Sequence, residues 1–118
     1  MIKPIVACVN PFETSKKYKA AGWNIDFVQQ PESGDPLVGV SLFGNVVLLG
    51  ITEGYLNKAD IPYIGCGVEF YLTVPKDKLE ETYLNHKAFS PSPIIEYPWG
   101  NVFEVKIENC KYMIAEND

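Results

Sequence analysis

The order of predicted elements repeats within the chain. A strand, a helix and three further strands follow one another in the first half, and the same order returns about 65 residues later. Under this shift Tyr18 falls on Tyr83, and the turn at Gly44-Asn45 falls on Asn109-Cys110. An internal duplication of this kind constrains the fold before any single motif does.

The duplication predicts a single α+β domain that consists of two βαβββ modules. The 118 residues are the length of one ordinary domain. We place the modules at 1–53 and 64–118, joined by a connector at 54–63. In each module a curled four-stranded sheet is expected to present a concave face, while a helix covers the opposite face.

Hydrophobic alternation and turn residues predict where the elements lie. In residues 68–74 apolar side chains alternate with Glu69, Tyr71 and Thr73. This two-residue repeat is typical of a strand, in which successive side chains point to opposite faces. The predicted helices cover 12–21 and 78–87, and the other strands cover 2–9, 23–30, 37–43, 46–52, 94–97, 102–107 and 111–115.

The charge and the hydropathy of the chain argue against two classes of partner. Lys and Arg number 10 against 15 Asp and Glu, which gives a formal net charge of -5. Because phosphate binding requires a basic patch, nucleic acid is disfavoured and a cationic partner is favoured. The longest apolar stretch, at 46–51, is far shorter than the roughly 20 residues that span a bilayer, so no membrane partner is expected.

The cysteines predict a reducing compartment. Three cysteines, at positions 8, 66 and 110, cannot all pair within the chain, and their spacing fits no zinc motif. The N-terminus lacks the apolar region and cleavage site of a signal peptide. We therefore expect a cytoplasmic protein in which each cysteine is a small buried hydrophobe.

Two short sequence motifs occur at the ends of predicted elements in the duplicated pattern. The first surrounds the first predicted helix and reads Asn10, Thr14, Lys17-Tyr18 and Ala21-Gly22-Trp23, and the second is Pro98-Trp99-Gly100 before the closing strands. Gly22 ends the helix and lets the chain turn at once into a strand. The large rings of Tyr18, Trp23 and Tyr83 are predicted to cover the sheets as core residues.

The chain resembles the vicinal oxygen chelate superfamily in these motifs, in their order and in the duplication. That superfamily includes glyoxalase I, extradiol dioxygenases, fosfomycin-resistance proteins and bleomycin-resistance proteins. The resemblance covers nearly the whole chain and implies the glyoxalase/bleomycin-resistance fold, in which curled mixed sheets form a concave cleft. The usual Asp-Pro-Asp-Gly turn of the family is replaced by Glu108-Asn109-Cys110-Lys111.

The resemblance also implies where a metal site would stand. Enzymes of the superfamily hold a divalent metal with His, Gln and Glu from the first and last strands of each module, and a catalytic site needs about three such ligands. The corresponding places in the first module hold Lys3 or Pro4 and the apolar strand 46–51. The second module offers Glu69, and Glu116 only after a shift of about two residues. We therefore predict no metal, no cofactor and no catalytic residue.

Other catalytic arrangements are also missing from the sequence. His86, the only histidine, stands at the end of the second predicted helix and is expected at the surface, where no cysteine can pair with it. No glycine-rich phosphate loop follows a strand. Glu96, Glu104 and Glu108 are expected on solvated strand faces.

The resemblance implies a binding function. Members of the superfamily that have lost the metal bind and sequester drugs, as the bleomycin-resistance proteins do. The prediction is a metal-free protein that binds a cationic or aromatic small molecule, such as an antibiotic, through Trp99, Tyr71 and Glu69. The resemblance also implies a homodimer with twofold symmetry.

Two alternative functions remain open at this point. One is a metal-dependent glyoxalase- or dioxygenase-like lyase or oxidoreductase that uses Glu69 and Glu116. The other is a structural or regulatory dimer whose cleft is closed by its own side chains. Metal analysis separates the first alternative from a binding protein, and the presence of an open cavity separates the second.

Overall fold

The computed structural model describes residues 2–51, 58–64 and 67–117. The first half contains β1 (Ile5–Cys8), α1 (Pro11–Ala20), β2 (Asn24–Gln29), β3 (Leu37–Leu42) and β4 (Asn45–Ile51). The second half contains β5 (Glu69–Val74), α2 (Leu79–Asn85), β6 (Ile95–Tyr97), β7 (Gly100–Ile107) and β8 (Cys110–Glu116). Short 3-10 helices cover Pro31–Ser33, Lys58–Tyr63, Lys76–Lys78 and Lys87–Phe89.

The two halves form four-stranded sheets with the same strand order. The order is β1-β4-β3-β2 in the first sheet and β5-β8-β7-β6 in the second. In each sheet the first strand of the module runs parallel to its neighbour, and the remaining pairs are antiparallel. This architecture confirms the predicted α+β fold of two βαβββ modules. The module boundaries stay a prediction, because part of the connector 54–63 lies outside the described residues.

Local sequence explains where α1 begins and ends. The side chain of Asn10 caps the helix by accepting hydrogen bonds from the backbone N–H groups of Phe12 and Glu13. Pro11 occupies the first helical position, where its missing N–H has no cost. Gly22 follows the helix with a φ of 92°, a conformation that favours glycine.

No helix in the described ranges has the length and apolar character needed to cross a membrane.

The core lies where the two modules meet. Tyr18 and Trp23 of the first module are buried against Tyr112 of the second, with ring centroids 5.0–6.0 Å apart. The hydroxyl groups of Tyr18 and Tyr112 share a hydrogen bond of 2.6 Å. The predicted core positions of Tyr18 and Trp23 are therefore confirmed. Tyr83 is only half-buried and packs edge-on against Phe103.

The predicted surface position of His86 is wrong. The side chain is fully buried at the C-terminal cap of α2. Its Nδ1 donates to the carbonyl oxygen of Thr82 at 2.7 Å, and its Nε2 accepts from the indole N–H of Trp23 at 3.0 Å. Both ring nitrogens are thus paired, and this pairing makes the burial of a polar ring tolerable. Burial lowers the pKa of His86 from its ordinary value, and the hydrogen bond to Thr82 opposes part of this shift.

Two of the three cysteines are buried, as predicted. Cys8 and Cys110 are nearly inaccessible to solvent, while Cys66 lies outside the described residues. Burial raises the pKa of Cys8 to about 12 and also raises the pKa of Cys110. Because the thiolate is the reactive form, these two side chains behave as small hydrophobes rather than nucleophiles.

Candidate ligand-binding site

The three residues predicted to bind a ligand lie on or beside one face of the second sheet. In β5 the side chains of Phe70, Leu72 and Val74 point into the core, so Glu69 and Tyr71 point to the opposite face by strand alternation. Trp99 stands in the turn between β6 and β7. We call this side, which faces away from the core, the outer face of the sheet.

Three aromatic side chains meet at this outer face. The rings of Tyr97 and Trp99 stack with centroids 5.1 Å apart and planes 4° from parallel. The Tyr71 ring lies 6.3 Å from Trp99 and is tilted by 50°. Tyr71, Tyr97 and Trp99 are 55%, 40% and 53% exposed, and we call them the aromatic patch. Sequence analysis missed Tyr97, although a residue two positions before Trp99 in a tight hairpin is a natural neighbour of it.

Glu69 is held in an ion pair rather than standing alone. The Nζ of Lys111 lies 3.8 Å from an Oε atom of Glu69 and 3.3 Å from an Oε atom of Glu104. All three side chains are partly exposed. We call Glu69, Lys111 and Glu104 the ion trio. Pairs this exposed contribute at most about 1 kcal/mol each to stability, so the trio is a weak structural feature.

Glu69 and Glu116 of one chain lie too far apart to bind one metal ion together. Glu69 is paired with Lys111 across the β5–β8 ladder, whereas Glu116 is paired with Val74 at the other end. Five residues of strand separate the two positions by about 16 Å, and side chains five residues apart on a strand face opposite sides. The carboxylate of Glu116 instead accepts a hydrogen bond from the backbone N–H of Asn101 at 3.1 Å. Among the described residues no group of three His, Cys, Asp or Glu side chains could hold a metal ion.

The outer face of the first sheet is more apolar than that of the second. It carries a groove of about 400 Å³ lined by Ile5, Ala7, Leu37 and Gly50. A Cβ at Gly50 would lie 3.1 Å from the side chain of Ile5, so that side chain would have to shift by a few tenths of an ångström. Ile5 itself is 68% exposed. The two outer faces therefore differ in chemistry, one aliphatic and one aromatic and charged.

Several solved structures share this fold. A bleomycin-binding protein complexed with bleomycin superposes with a TM-score of 0.70 at 13% identity, over 100% of this chain and 98% of that chain. A glyoxalase/bleomycin resistance protein/dioxygenase superfamily member from Sphaerobacter thermophilus gives 0.70 at 15% identity, over 99% and 97%. A variant of the fosfomycin resistance protein FosX from Listeria monocytogenes, complexed with Mn(II) and 1S,2S-dihydroxypropylphosphonic acid, gives 0.69 at 7% identity, over 100% and 92%.

These comparisons establish the fold of the chain. No protein-family model matches the sequence, and a search of curated proteins found no relative. At identities of 7–15% the likeness to solved structures concerns architecture. The predicted resemblance to vicinal oxygen chelate proteins is confirmed as a shared glyoxalase/bleomycin-resistance fold. Both a drug-binding protein and a manganese-containing protein are similar to it, so the function must be argued from the residues of this chain.

Proposed function

We propose that this protein binds a planar, cationic small molecule on the aromatic patch, without a metal ion. The observation that carries the proposal is the exposure of three neighbouring aromatic rings on a sheet face turned away from the core. Soluble proteins seldom leave adjoining large rings in water unless the surface has a binding role. Stacking on such rings requires a flat ligand.

The geometry of the patch supports a ligand that stacks on one face of the Trp99 indole. Tyr97 covers one face of the Trp99 indole, so a ligand has the other face, with the tilted ring of Tyr71 as a side wall. A cation over the Trp ring contributes about 0.5–2 kcal/mol to the binding free energy, and the contribution is larger when water is excluded from the contact. The net charge of -5 attracts cations to the surface, and it affects association rate and salt dependence more than final affinity.

Calorimetric titration with 9-aminoacridine, a planar monocation, tests this proposal. We expect saturable binding to one site per chain that weakens as salt is raised. Bleomycin, the ligand of one similar structure, is the first antibiotic to test in the same way. An absence of saturable heat with both compounds would contradict the proposal and favour a structural dimer with a closed cleft.

We also propose that the chain forms a homodimer through the apolar outer face of its first sheet. The groove around Ile5 and Leu37 leaves aliphatic surface in water, and a second copy would cover it. Light scattering at micromolar concentration is expected to give twice the chain mass of 13.2 kDa. Ile5→Glu should shift the mass toward the monomer, whereas Leu84→Glu on the exposed side of α2 should not. A monomeric parent protein would contradict this proposal.

Divalent metals are expected to leave the protein unchanged. Zinc, nickel, iron or manganese should neither raise the melting temperature nor produce glyoxalase activity, since Glu69 and Glu116 lie too far apart to bind one ion together. Melting curves with and without each metal make the measurement. A tight one-to-one complex that is lost in Glu69→Ala but kept in Glu96→Ala, a change at another exposed carboxylate, would instead support a metal-dependent enzyme.

A further inference from the structure

We infer that Lys111 sets the charge selectivity of the aromatic patch, because it occupies between Glu69 and Glu104 the place that the cationic group of a ligand would take. The inference rests on the proposed binding function and names a residue that controls it. Lys111 would act as a built-in counterion, which a bound cation displaces or competes with.

The position of Lys111 in the sheet explains its two partners. It lies on β8, which has β5 on one side and β7 on the other. Glu69 stands directly opposite on β5, and Glu104 lies on the diagonal on β7, where it is paired with Met113. Directly opposed and diagonal neighbours on one face are within reach of long side chains. The lysine is therefore flanked by a carboxylate on each side.

The ion trio lies next to the aromatic patch. Tyr71 is paired with Met113, which is two residues along β8 from Lys111. Two residues of strand span about 7 Å, and the side chains of Tyr71 and Lys111 both point to the outer face. A ring stacked on Trp99 beside Tyr71 would thus reach the trio with an amino side arm that extends past Tyr71.

The charge balance of the trio determines what such an arm meets. With Lys111 present, two carboxylates and one ammonium leave a single net negative charge. Removing the ammonium leaves two carboxylates that face the ligand with no internal counterion. The trio is partly exposed, so its internal pairs are weak enough for a ligand cation to compete with Lys111. Cationic ligands should therefore gain affinity when Lys111 is neutralised, and dications should gain most.

Calorimetric titration of Lys111→Met with two acridines tests the inference. The probes are 9-aminoacridine, a monocation, and quinacrine, an acridine whose amino side arm makes it a dication. We expect about fivefold tighter binding of the monocation than in the parent protein, and a larger gain for the dication. Lys106→Met is the matched control, since Lys106 lies opposite Lys111 on β7 and makes no ion pair with any residue that the structure describes. It removes the same charge from the same face and should change affinity by less than about twofold.

The outcomes separate this inference from the proposed function. If the parent binds 9-aminoacridine and Lys111→Met binds it no better than Lys106→Met does, Lys111 has no special role and the inference fails alone. If neither the parent nor Lys111→Met binds either probe, both the inference and the proposed function fail. An anionic probe, 8-anilinonaphthalene-1-sulfonate, gives a third arm. Binding of this probe that is lost in Lys111→Met would overturn the inference, because Lys111 would then attract anions.

Discussion

Lowering the pH from about 7.5 to about 5.5 is expected to reduce the free energy of unfolding, with a slope of at most about 1.4 kcal/mol for each pH unit below about 6.5. The cause is His86. Its Nε2 accepts the indole N–H of Trp23, and a protonated imidazole could not accept it. Because burial lowers the pKa of His86 below its ordinary value of 6.5, the unfolded chain binds the proton first. Stability is therefore full above pH 6.5 and is lost as the pH falls below it.

Urea unfolding across this pH range measures the effect. His86 is the only histidine, and ordinary carboxyl groups titrate near about pH 4, so the window isolates one side chain. His86→Gln removes the titrating group, and its stability should be nearly flat between about pH 5.5 and 7.5. A parent protein whose stability is equally flat would show that His86 is not held neutral by its burial. The same conclusion would follow if the glutamine variant kept the slope.

Trp99→Ala is expected to weaken binding of a planar cation by about tenfold, which corresponds to about 1.4 kcal/mol. The substitution removes the stacking surface and leaves Tyr71 and Tyr97 without their shared neighbour. The melting temperature should change little, because Trp99 is more than half exposed and contributes little to the core. Calorimetric titration with 9-aminoacridine and a melting curve of the variant make the two measurements.

An exposed aromatic residue outside the patch is the control for this substitution. Tyr63 belongs to the 3-10 helix Lys58–Tyr63 and is more exposed than Trp99. Tyr63→Ala should bind the probe as the parent protein does. If Trp99→Ala binds the probe with parental affinity, or unfolds, Trp99 would have to be reassigned to a structural role.

The duplicated pattern predicted the sheets, but it placed both hairpin turns one residue late. The turns occupy 43–44 and 108–109, again about 65 positions apart. Phe43 and Glu108 adopt positive φ angles of 47° and 54°, which are uncommon for such residues, so turn propensity favoured Gly44-Asn45 instead. Asn45 in fact begins β4, and its side-chain amide donates to the carbonyl oxygens of Leu42 and Thr73. The side chain of Asn45 thus links the first hairpin turn to the second module.

The spacing of residues along α2 indicates that His86 lies on the buried face of the helix. Leu79, Thr82 and His86 are spaced by three and four residues, which places them on one face of a helix. Leu79 and Thr82 are both buried. The polar character of histidine argued for the surface, and only the position of Trp23, 63 residues away, supplies the hydrogen bond that compensates its burial. That partner could not be inferred from the local pattern.

The candidate site was predictable in part. Strand alternation placed Glu69 and Tyr71 on one face, and the turn after Pro98 left Trp99 accessible. The partners Tyr97 and Lys111 depend on which residues stand opposite across the sheet, and a register error of one residue would turn each side chain to the other face. Sequence alone does not specify the register to one residue, so the ion trio emerged only from the structure. The role of these residues in ligand binding stays a prediction.

The indole N–H signals of the two tryptophans test the central claim most directly. Trp99 lies in the aromatic patch, whereas Trp23 is buried and donates its N–H to His86. In a ¹H–¹⁵N correlation spectrum recorded during titration with 9-aminoacridine, we expect the Trp99 signal to move and saturate while the Trp23 signal stays in place. Trp99→Ala assigns the two signals. A Trp99 signal that stays fixed while the ligand saturates the protein would contradict binding at the patch.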